Sequence, residues 1–378
     1  MKKRLLLLLI LLVGCQNGQP STLKRYQRGT FDAGFDTYVE LAAYAKDENA
    51  FNTTFKEMTS EFYRYNQIFD NYKTYDDALS LMAINQHAGK GAIKVDQALI
   101  DVLEFVKTMH DQGYTKFDPT MGAVLEIWHE YRTAGILANQ NGDVGKTPSM
   151  TILETANLCT GWENIVIDAT NSTIEITNPC TKLDLGGIAK GYAAEQVAQY
   201  LENKGTQYAI VNPGGNIRTI NTRADGNPWN IAIQKPTLLQ DDGNIDVLSI
   251  PESMSMVTSG DYQRAYENED GLRLHHLIDP DTLMPTHYFR SVTVITKNSM
   301  VADFFSTQLF LIPYQQGVEL IHQYNQQHPQ EPLHALWIID DETITQHEDF
   351  FTVDEVDYQI SMTENLQPYS RQYQKHHD

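Results

Sequence analysis

Four segments of the chain carry residue types and spacings suited to phosphate and metal chemistry. In Asp184-Leu185-Gly186-Gly187-Ile188-Ala189-Lys190-Gly191-Tyr192 a glycine pair opens a helix directly after a strand end. Such a start turns free backbone N–H groups and the positive end of the helix dipole toward an anion. Lys190 adds a cation, and glycine lets the backbone approach a ligand without a Cβ. Asn212-Pro213-Gly214-Gly215-Asn216 repeats the glycine pair after a second strand. Thr258-Ser259-Gly260-Asp261-Tyr262 is followed by His275-His276-Leu277-Ile278-Asp279-Pro280. There His276 is placed to polarise or deprotonate a hydroxyl near neutral pH. In the fourth, Ala302 to Thr307, Asp303 and Thr307 are four residues apart and share one helical face. A carboxylate and a hydroxyl so placed suit a hard cation such as Mg²⁺, shared with a substrate phosphate.

Singly, each segment has a plainer reading. A Gly-Gly pair before a helix is often only a turn, and one of two adjacent histidines is often only surface. Asp303 fits a helix-dipole partner and Thr307 a back-bonded hydroxyl. The 184–192 segment matches neither the Walker nor the Rossmann pattern. Jointly they describe a dinucleotide diphosphate site: two glycine turns, a lysine, an acid/hydroxyl cation face and a histidine.

The elements that position these residues follow from periodicity. Phe35 to Ala43 alternates as a strand, and Phe51, Phe55, Met58, Phe62 and Phe69 fall at helical intervals. A helix is expected from Asp96, a good N-cap, to Gly113, burying Leu99, Leu103 and Val106. Phe117 to Gly122 is a turn leading into an amphipathic Ala123–Tyr131. Residues 164–177 form a hairpin turning at Ala169–Ser172. Further strands are expected at Tyr208–Val211, Trp229–Gln234, Val247–Ile250, Ser253–Val257, Ser291–Thr296 and Leu336–Ile339, with helices at 189–203, 299–311 and 315–327. Long antiparallel runs with interspersed helices predict an α+β fold, a two-lobed single unit with mostly antiparallel sheets and flanking helices. The polar end, from about 356 to 378, is expected to fray.

The amino terminus gives an address. Met-Lys-Lys-Arg precedes an unbroken apolar run, Leu5 to Val13, of nine residues. A spanning helix needs about 20, so 1–14 reads as a signal peptide. Leu12-Val13-Gly14-Cys15 looks like a bacterial lipobox, with Cys15 as the lipidated first mature residue and residues 15–28 as a tether to a domain at 29–355. The expectation is a protein held at the cell membrane by its lipid, on the extracytoplasmic side. Cys159 and Cys180 either pair there or sit as small buried apolar residues. Spacing does not choose, and the unpaired state is the expectation.

Composition narrows the partners. The 378 residues hold 28 Lys plus Arg against 49 Asp plus Glu, a formal charge of −21. Without residues 1–14 the balance is 25 against 49, or −24, so no nucleic acid is expected to bind by bulk charge. A 41% hydrophobic fraction excludes disorder. Three cysteines with no CxxC or Cys/His cluster exclude a disulfide scaffold and give no zinc pattern.

From about Gly29 to Ile312 the chain resembles the FAD:protein FMN transferases, or ApbE-type flavinyltransferases. The resemblance rests on DLGGIAKGYA (184–193), NPGGNI (212–217), TSGDYQR (258–264), HHLIDP (275–280) and VADFFST (301–307), in the order and spacing of the family. FDTYVEL (35–41), FDNY (69–72) and FDPTMGAVLEIW (117–128) look like its amino-terminal half.

The resemblance implies an ApbE-type, T-fold-like architecture. It also implies a Mg²⁺-dependent enzyme that cleaves FAD, attaches FMN by a phosphoester to a Ser or Thr of a target flavoprotein, and releases AMP. It assigns Gly187, Asp303 and Thr307 to the metal, and Phe35, Tyr72, Phe117, Asp118, Asp184, Lys190, His276 and Ile278 to FAD. His276 is the implied base, with Asp279 as its orienter or substitute. Phe35 stands where many members have Met. Ser306 stands where some have a second aspartate, which implies one charge fewer at the metal. The family's acceptor signature is absent from the chain, which points to the enzyme rather than its substrate. An FAD pyrophosphatase and a flavin-binding lipoprotein without chemistry are the alternatives.

Overall fold

The chain is built around one large antiparallel sheet whose inner face receives two helices that carry the site. The computed structural model describes residues 23–237, 243–354 and 356–377. The leader, Cys15 and most of the expected tether lie outside them.

Strands β1 (Lys24–Thr30) and β2 (Val39–Ala45) open the fold as an antiparallel pair. Helix α1 (Glu48–Phe69) follows, started by Asp47, whose carboxylate accepts the Ala50 N–H at 2.8 Å. It buries Phe51, Met58, Phe62 and Ile68 along one stripe. Then come α2 (Leu81–Gln86), β3 (Ile93–Lys94), α3 (Gln97–Asp111, capped by Asp96), α4 (Gly122–Gln140) and α5 (Met150–Asn157). β4 (Ile165–Asp168) and β5 (Thr173–Ile176) make the hairpin, with β3 completing a three-stranded sheet.

The second half runs α6 (Ala189–Asn203), β6 (Ala209–Pro213), β7 (Asn216–Ile220), β8 (Trp229–Gln234), β9 (Asn244–Ile250) and β10 (Ser255–Gly260). It continues with β11 (Ala265–Glu267), β12 (Arg273–His275), β13 (Ser291–Thr296), α7 (Ser299–Phe310) and α8 (Tyr314–Gln327). It ends with β14 (His334–Ile339), β15 (Phe351–Thr352), β16 (Gln359–Met362) and α9 (Arg371–His377). The main sheet has the order β1-β2-β6-β7-β10-β13-β14-β16-β15, every neighbour antiparallel. The α+β expectation is therefore met.

α7 is the central helix. All of its residues except Met300 are buried, as a helix enclosed on every side must be. It packs on β10, β13 and α6. The approach to α6 is close because residue 191 is glycine: a Cβ there would lie 2.4 Å from the Ser299 carbonyl oxygen and 2.5 Å from Asp303 Cβ. Two bonds fasten the pair. Gly191 N–H donates to Asp303 Oδ2 at 2.8 Å, and Ser299 N–H donates to Glu195 Oε2 at 2.8 Å. Glu195 is buried and paired with buried Arg218 of β7, Nε to Oε2 3.0 Å.

Five expectations are corrected. The strand expected from Phe35 begins only at Val39, because Gly34, Phe35 and Asp36 all have positive φ (92°, 59° and 48°) and turn the chain back from β1. The folded unit starts at Lys24 rather than 29, because β1 pairs residue for residue with β2. The polar end does not fray. Ile360 and Met362 alternate into the sheet as β16, Leu366 is buried, and Ser370 Oγ donates to buried Asp246 at 2.6 Å.

Finally, Cys159 and Cys180 form a disulfide, with Cα atoms 5.4 Å apart. The hairpin between them closes its own base, Thr177 N–H to Asn164 O at 2.9 Å, and so brings the flanking cysteines together. The bridge ties the end of α5 to the segment entering the 184–191 turn. The helix expected at 123–131 also runs further, to Gln140.

Two stability outcomes follow. Glu195→Ala should lower unfolding free energy by about 3–5 kcal/mol in urea titration, because it strands a buried arginine. Reduction of Cys159–Cys180 should cost roughly 3 kcal/mol, the chain-entropy value for a loop of this length, and should appear as a lower melting temperature in dithiothreitol.

Candidate functional site

The turn that enters α6 is pinned from three sides. Asn85 brackets Leu183, accepting its N–H at 2.8 Å and donating to its carbonyl at 2.9 Å. Asp184 N–H donates to Pro119 O at 2.8 Å, and Asp184 Oδ1 accepts the Gly186 N–H at 2.8 Å. Gly187 then passes tight against α7 and the ring of Phe117. A Cβ at 187 would lie 2.9 Å from Phe117 and 3.3 Å from Thr307 Oγ1. The Gly187 main chain, Asp303 and Thr307 thus meet where α6 starts against α7.

These three residues fit a hard cation. The Asp303 carboxyl is buried and its pKa is pushed up to about 6 by desolvation, with Lys190, the Gly191 N–H and Asn216 pulling it back. A cation beside it would remove the desolvation penalty on the charged form. Thr307 is buried, yet its hydroxyl closes no hydrogen bond among the described residues. The back-bonded hydroxyl on this helix is instead Ser306, which donates to Asp303 O at 2.9 Å and meets Ser259 Oγ at 2.9 Å. The donors are all oxygens, the set that Mg²⁺ or Ca²⁺ takes and softer metals do not favour. One carboxylate is present: the described residues contain no metal-holding group of three or more His, Cys, Asp or Glu.

Around this corner the charge is positive. Lys190, Arg132 and Arg264 all act on His276, and none of the three closes an ion pair with a described carboxylate. Burial holds the Lys190 pKa down; Asp303 raises it and Arg264 lowers it further. Arg132 is lowered by burial and then by Arg264. Cations crowded together without matching acids are an arrangement that a bound polyanion stabilises. Arg264 is placed by the end of β10, where buried Asp261 is held by Arg290 and Arg273, each at 3.0 Å.

The two adjacent histidines divide their roles. His275 is buried, donates Nε2–H to Thr286 O at 2.7 Å and accepts Leu277 N–H on Nδ1 at 3.2 Å, a fixed neutral tautomer. Burial drives its pKa to about 3. His276 has a buried Nδ1 with no partner. Burial, then Arg264, hold its pKa well below the usual histidine value, so at neutral pH it is an uncharged proton acceptor.

Asp279 is a correction. It is not the orienter of His276. Its Oδ1 accepts from Lys116 Nζ at 2.6 Å and from Asp281 N–H at 3.2 Å, and its main chain closes the 279–284 turn. That aspartate is consumed in building the loop.

Phe117, Asp184, Gly187, Lys190, His276, Asp303 and Thr307 therefore gather at one place. Tyr72 joins them through its neighbour, since Asn71 Nδ2 donates to Asp184 Oδ2 at 3.4 Å. Phe35 stands on the same rim. Its N–H donates to Asn66 Oδ1 at 2.6 Å, Asn66 meets the Tyr75 hydroxyl, and Tyr75 bonds Asp70, which also takes the Tyr72 N–H. Asp118 builds the turn, its Oδ1 accepting both the N–H and the hydroxyl of Thr120 at 2.8 and 2.7 Å. The Ile278 side chain is buried with Val124 and Trp128, and its main chain bridges Pro285. A cavity of about 780 Å³ lined by Ile250, Met254, Leu366 and Tyr373 shares no residue with this cluster.

Arg132, His129, Asn216 and Arg264 join the site beyond the residues expected from sequence. Arg264 closes the TSGDYQR segment and Asn216 the NPGGN segment, where a signal exists. Arg132 and His129 lie on α4 with no signal beyond their spacing of three.

Fold and cluster together define an enzyme site for an anionic, phosphorylated ligand. Comparison with known proteins makes this specific. Residues 35–329 match the model of the ApbE family. The FAD:protein FMN transferase of Haemophilus influenzae is 31% identical over 292 residues, 76% of each chain. That of Vibrio cholerae is 29% identical over 312 residues, 82% of this chain and 87% of its own. Among solved structures, the ApbE protein of Thermotoga maritima superposes with a TM-score of 0.70 at 26% identity, covering 86% of this chain and 97% of its own. The flavin transferase ApbE of Vibrio cholerae gives 0.69 at 23% identity, covering 92% and 99%. The chain belongs to the ApbE family, and its Haemophilus influenzae and Vibrio cholerae relatives are FAD:protein FMN transferases.

The raised Asp303 pKa has a testable sign. Between its unfolded value near 4 and about 6, the native state binds more protons than the unfolded state. Without a cation, this group therefore adds stability as pH falls through that window and subtracts it above. Added Mg²⁺ should raise the melting temperature clearly at pH 7.5 and little at pH 5, and the difference should vanish in Asp303→Asn. A pH-independent shift would contradict the assignment.

Proposed function

We propose that this protein is a Mg²⁺-dependent FAD:protein FMN transferase that modifies a Ser or Thr of an extracytoplasmic flavoprotein and releases AMP, working from a lipid anchor at Cys15. The activity is that of the curated relatives. The observation that carries it in this chain is the convergence of Gly187, buried Asp303 and the unpartnered Thr307 hydroxyl beside three unpaired cations. A passive flavin binder has no need of such a donor set. The anchor rests on the Leu12–Cys15 sequence. No described helix is long and apolar enough to cross a membrane.

The reaction forms one bond and breaks one. The acceptor hydroxyl oxygen joins the FMN-side phosphorus, the pyrophosphate P–O bond breaks, and AMP leaves with the bridging oxygen. The barrier is largely one of charge and alignment. When bound, Mg²⁺ would lie against Gly187 O, Asp303 and Thr307 and supply neutralisation of the pyrophosphate oxygens. The chain does the rest. Lys190, Arg132 and Arg264 attract and orient the diphosphate. The first turn of α6 spends the Ile188 and Ala189 N–H groups on Leu185 O and the Gly191 N–H on Asp303, so the side-chain cations carry the attraction. His276, uncharged and with a free Nδ1, takes the proton that the hydroxyl sheds. Burial is the main brake on His276 basicity; a bound anion would offset only the Arg264, Arg132 and Lys190 charges that add to it.

The test is incubation of the purified protein with FAD, Mg²⁺ and a candidate acceptor domain, read by intact mass. The expected result is a gain of one FMN on the acceptor and stoichiometric AMP. AMP released at the same rate with no acceptor present would mark a pyrophosphatase instead. Asp303→Ala should slow transfer roughly 100-fold or more while FAD still quenches on binding. Transfer at the normal rate in that variant would sink the metal assignment.

A further inference from the structure

Tyr72 is 57% exposed, an unusual place for an ordered aromatic ring beside a ligand site. It is not left to wander. The His129 ring of α4 lies against it, centroids 5.0 Å apart and planes tilted by 36°. His129 is held in turn by Arg132, three residues further along the same helix, whose Nη2 lies 2.9 Å from His129 Nδ1. A guanidinium can only donate, so Nδ1 is the acceptor and the ring proton sits on Nε2. The Tyr72 hydroxyl also faces Nδ1, at 3.5 Å, a weak contact. The Nε2–H closes no hydrogen bond among the described residues. Asn71, next in the chain to Tyr72, reaches Asp184 Oδ2, so this aromatic pair stands over the turn that opens the diphosphate site. Asp184, Arg132 and Arg264 all act electrostatically on the Tyr72 hydroxyl.

We propose that Tyr72 and His129 form a two-ring wall that receives one planar ring system of FAD, with Arg132 as the positioning residue that locks the imidazole in place. The inference rests on the functional reading above and adds two residues to it. Burial does not explain the arrangement, since the ring it organises faces solvent. A ring fixed before the ligand arrives loses little freedom on binding. A free Nε2–H at the wall's edge offers one donor to a ring carbonyl, ring nitrogen or ribityl oxygen. Arg132 does double duty, pinning the wall with one nitrogen while its charge joins Lys190 and Arg264.

The experiment is FAD titration of the full protein by flavin fluorescence, with steady-state transfer kinetics alongside. His129→Ala should weaken FAD binding roughly tenfold, within the range of one aromatic–base stack, and should raise KM while leaving kcat within about twofold. Bound FAD should also be less quenched. His129→Phe, which keeps a ring, should recover most of the affinity. Arg132→Met should lose about threefold or more. In a Tyr72→Ala background His129→Ala should cost less than twofold, because the wall is already gone. Melting temperatures identify variants that fail to fold; if His129→Ala is one, His129→Phe and Arg132→Met carry the comparison. Wild-type affinity in folded His129→Ala or Arg132→Met, or full additivity with Tyr72→Ala, would overturn the wall while leaving the transferase reading intact. A wild-type protein that does not bind FAD would overturn that reading itself.

Discussion

The structure turns on one buried carboxylate. Asp303 sits on a largely buried helix, its carboxylate accepting a backbone N–H from the neighbouring helix. Desolvation opposes its charge, and the nearest help is Lys190, which burial also opposes. Neither group is at rest without further counter-charge. The rest of the architecture keeps that tension from relaxing. Glycine at 191 brings α6 and α7 together, Glu195 and Arg218 fix the start of α7, and the sheet closes the far side. The net charge of −21 makes the local positive corner more telling. An acidic protein that gathers unpaired cations in one place does so against its own composition.

Much of the site was legible in the sequence because its logic is local. Asp303 and Thr307 share a helical face by spacing alone, and Gly187 and Lys190 belong to one helix start. The strand Ser291–Thr296 and the helix from 189 to 203 were expected with the ends the structure gives. Asn298, which caps α7, lies in the segment expected to end a strand and start that helix.

What escaped was set by contacts between distant segments. Tyr72 and His129 are 57 positions apart, and nothing in either neighbourhood announces the other. Cys159 and Cys180 pair because a hairpin folds between them, a consequence of register rather than of spacing. Residues 356–378 looked like a tail because their few apolar residues need β14 and Asp246 to become a strand and a cap. Asp279 looked like a partner for His276 because it is near in sequence. In space Lys116, 163 positions away, has claimed it.

Among the described residues the main sheet ends in two edge strands, and each is treated differently. One is β15, only two residues long. The other is β1, seven residues whose sequence KRYQRGT exposes Lys24, Arg25 and Arg28. An edge strand of that length is a template on which a stray chain could add itself. Three like charges along it repel a second copy of the same strand. At high local crowding, sister molecules would thus be kept from zipping into fibres, with three of the chain's 28 bases stationed where such polymerisation would start.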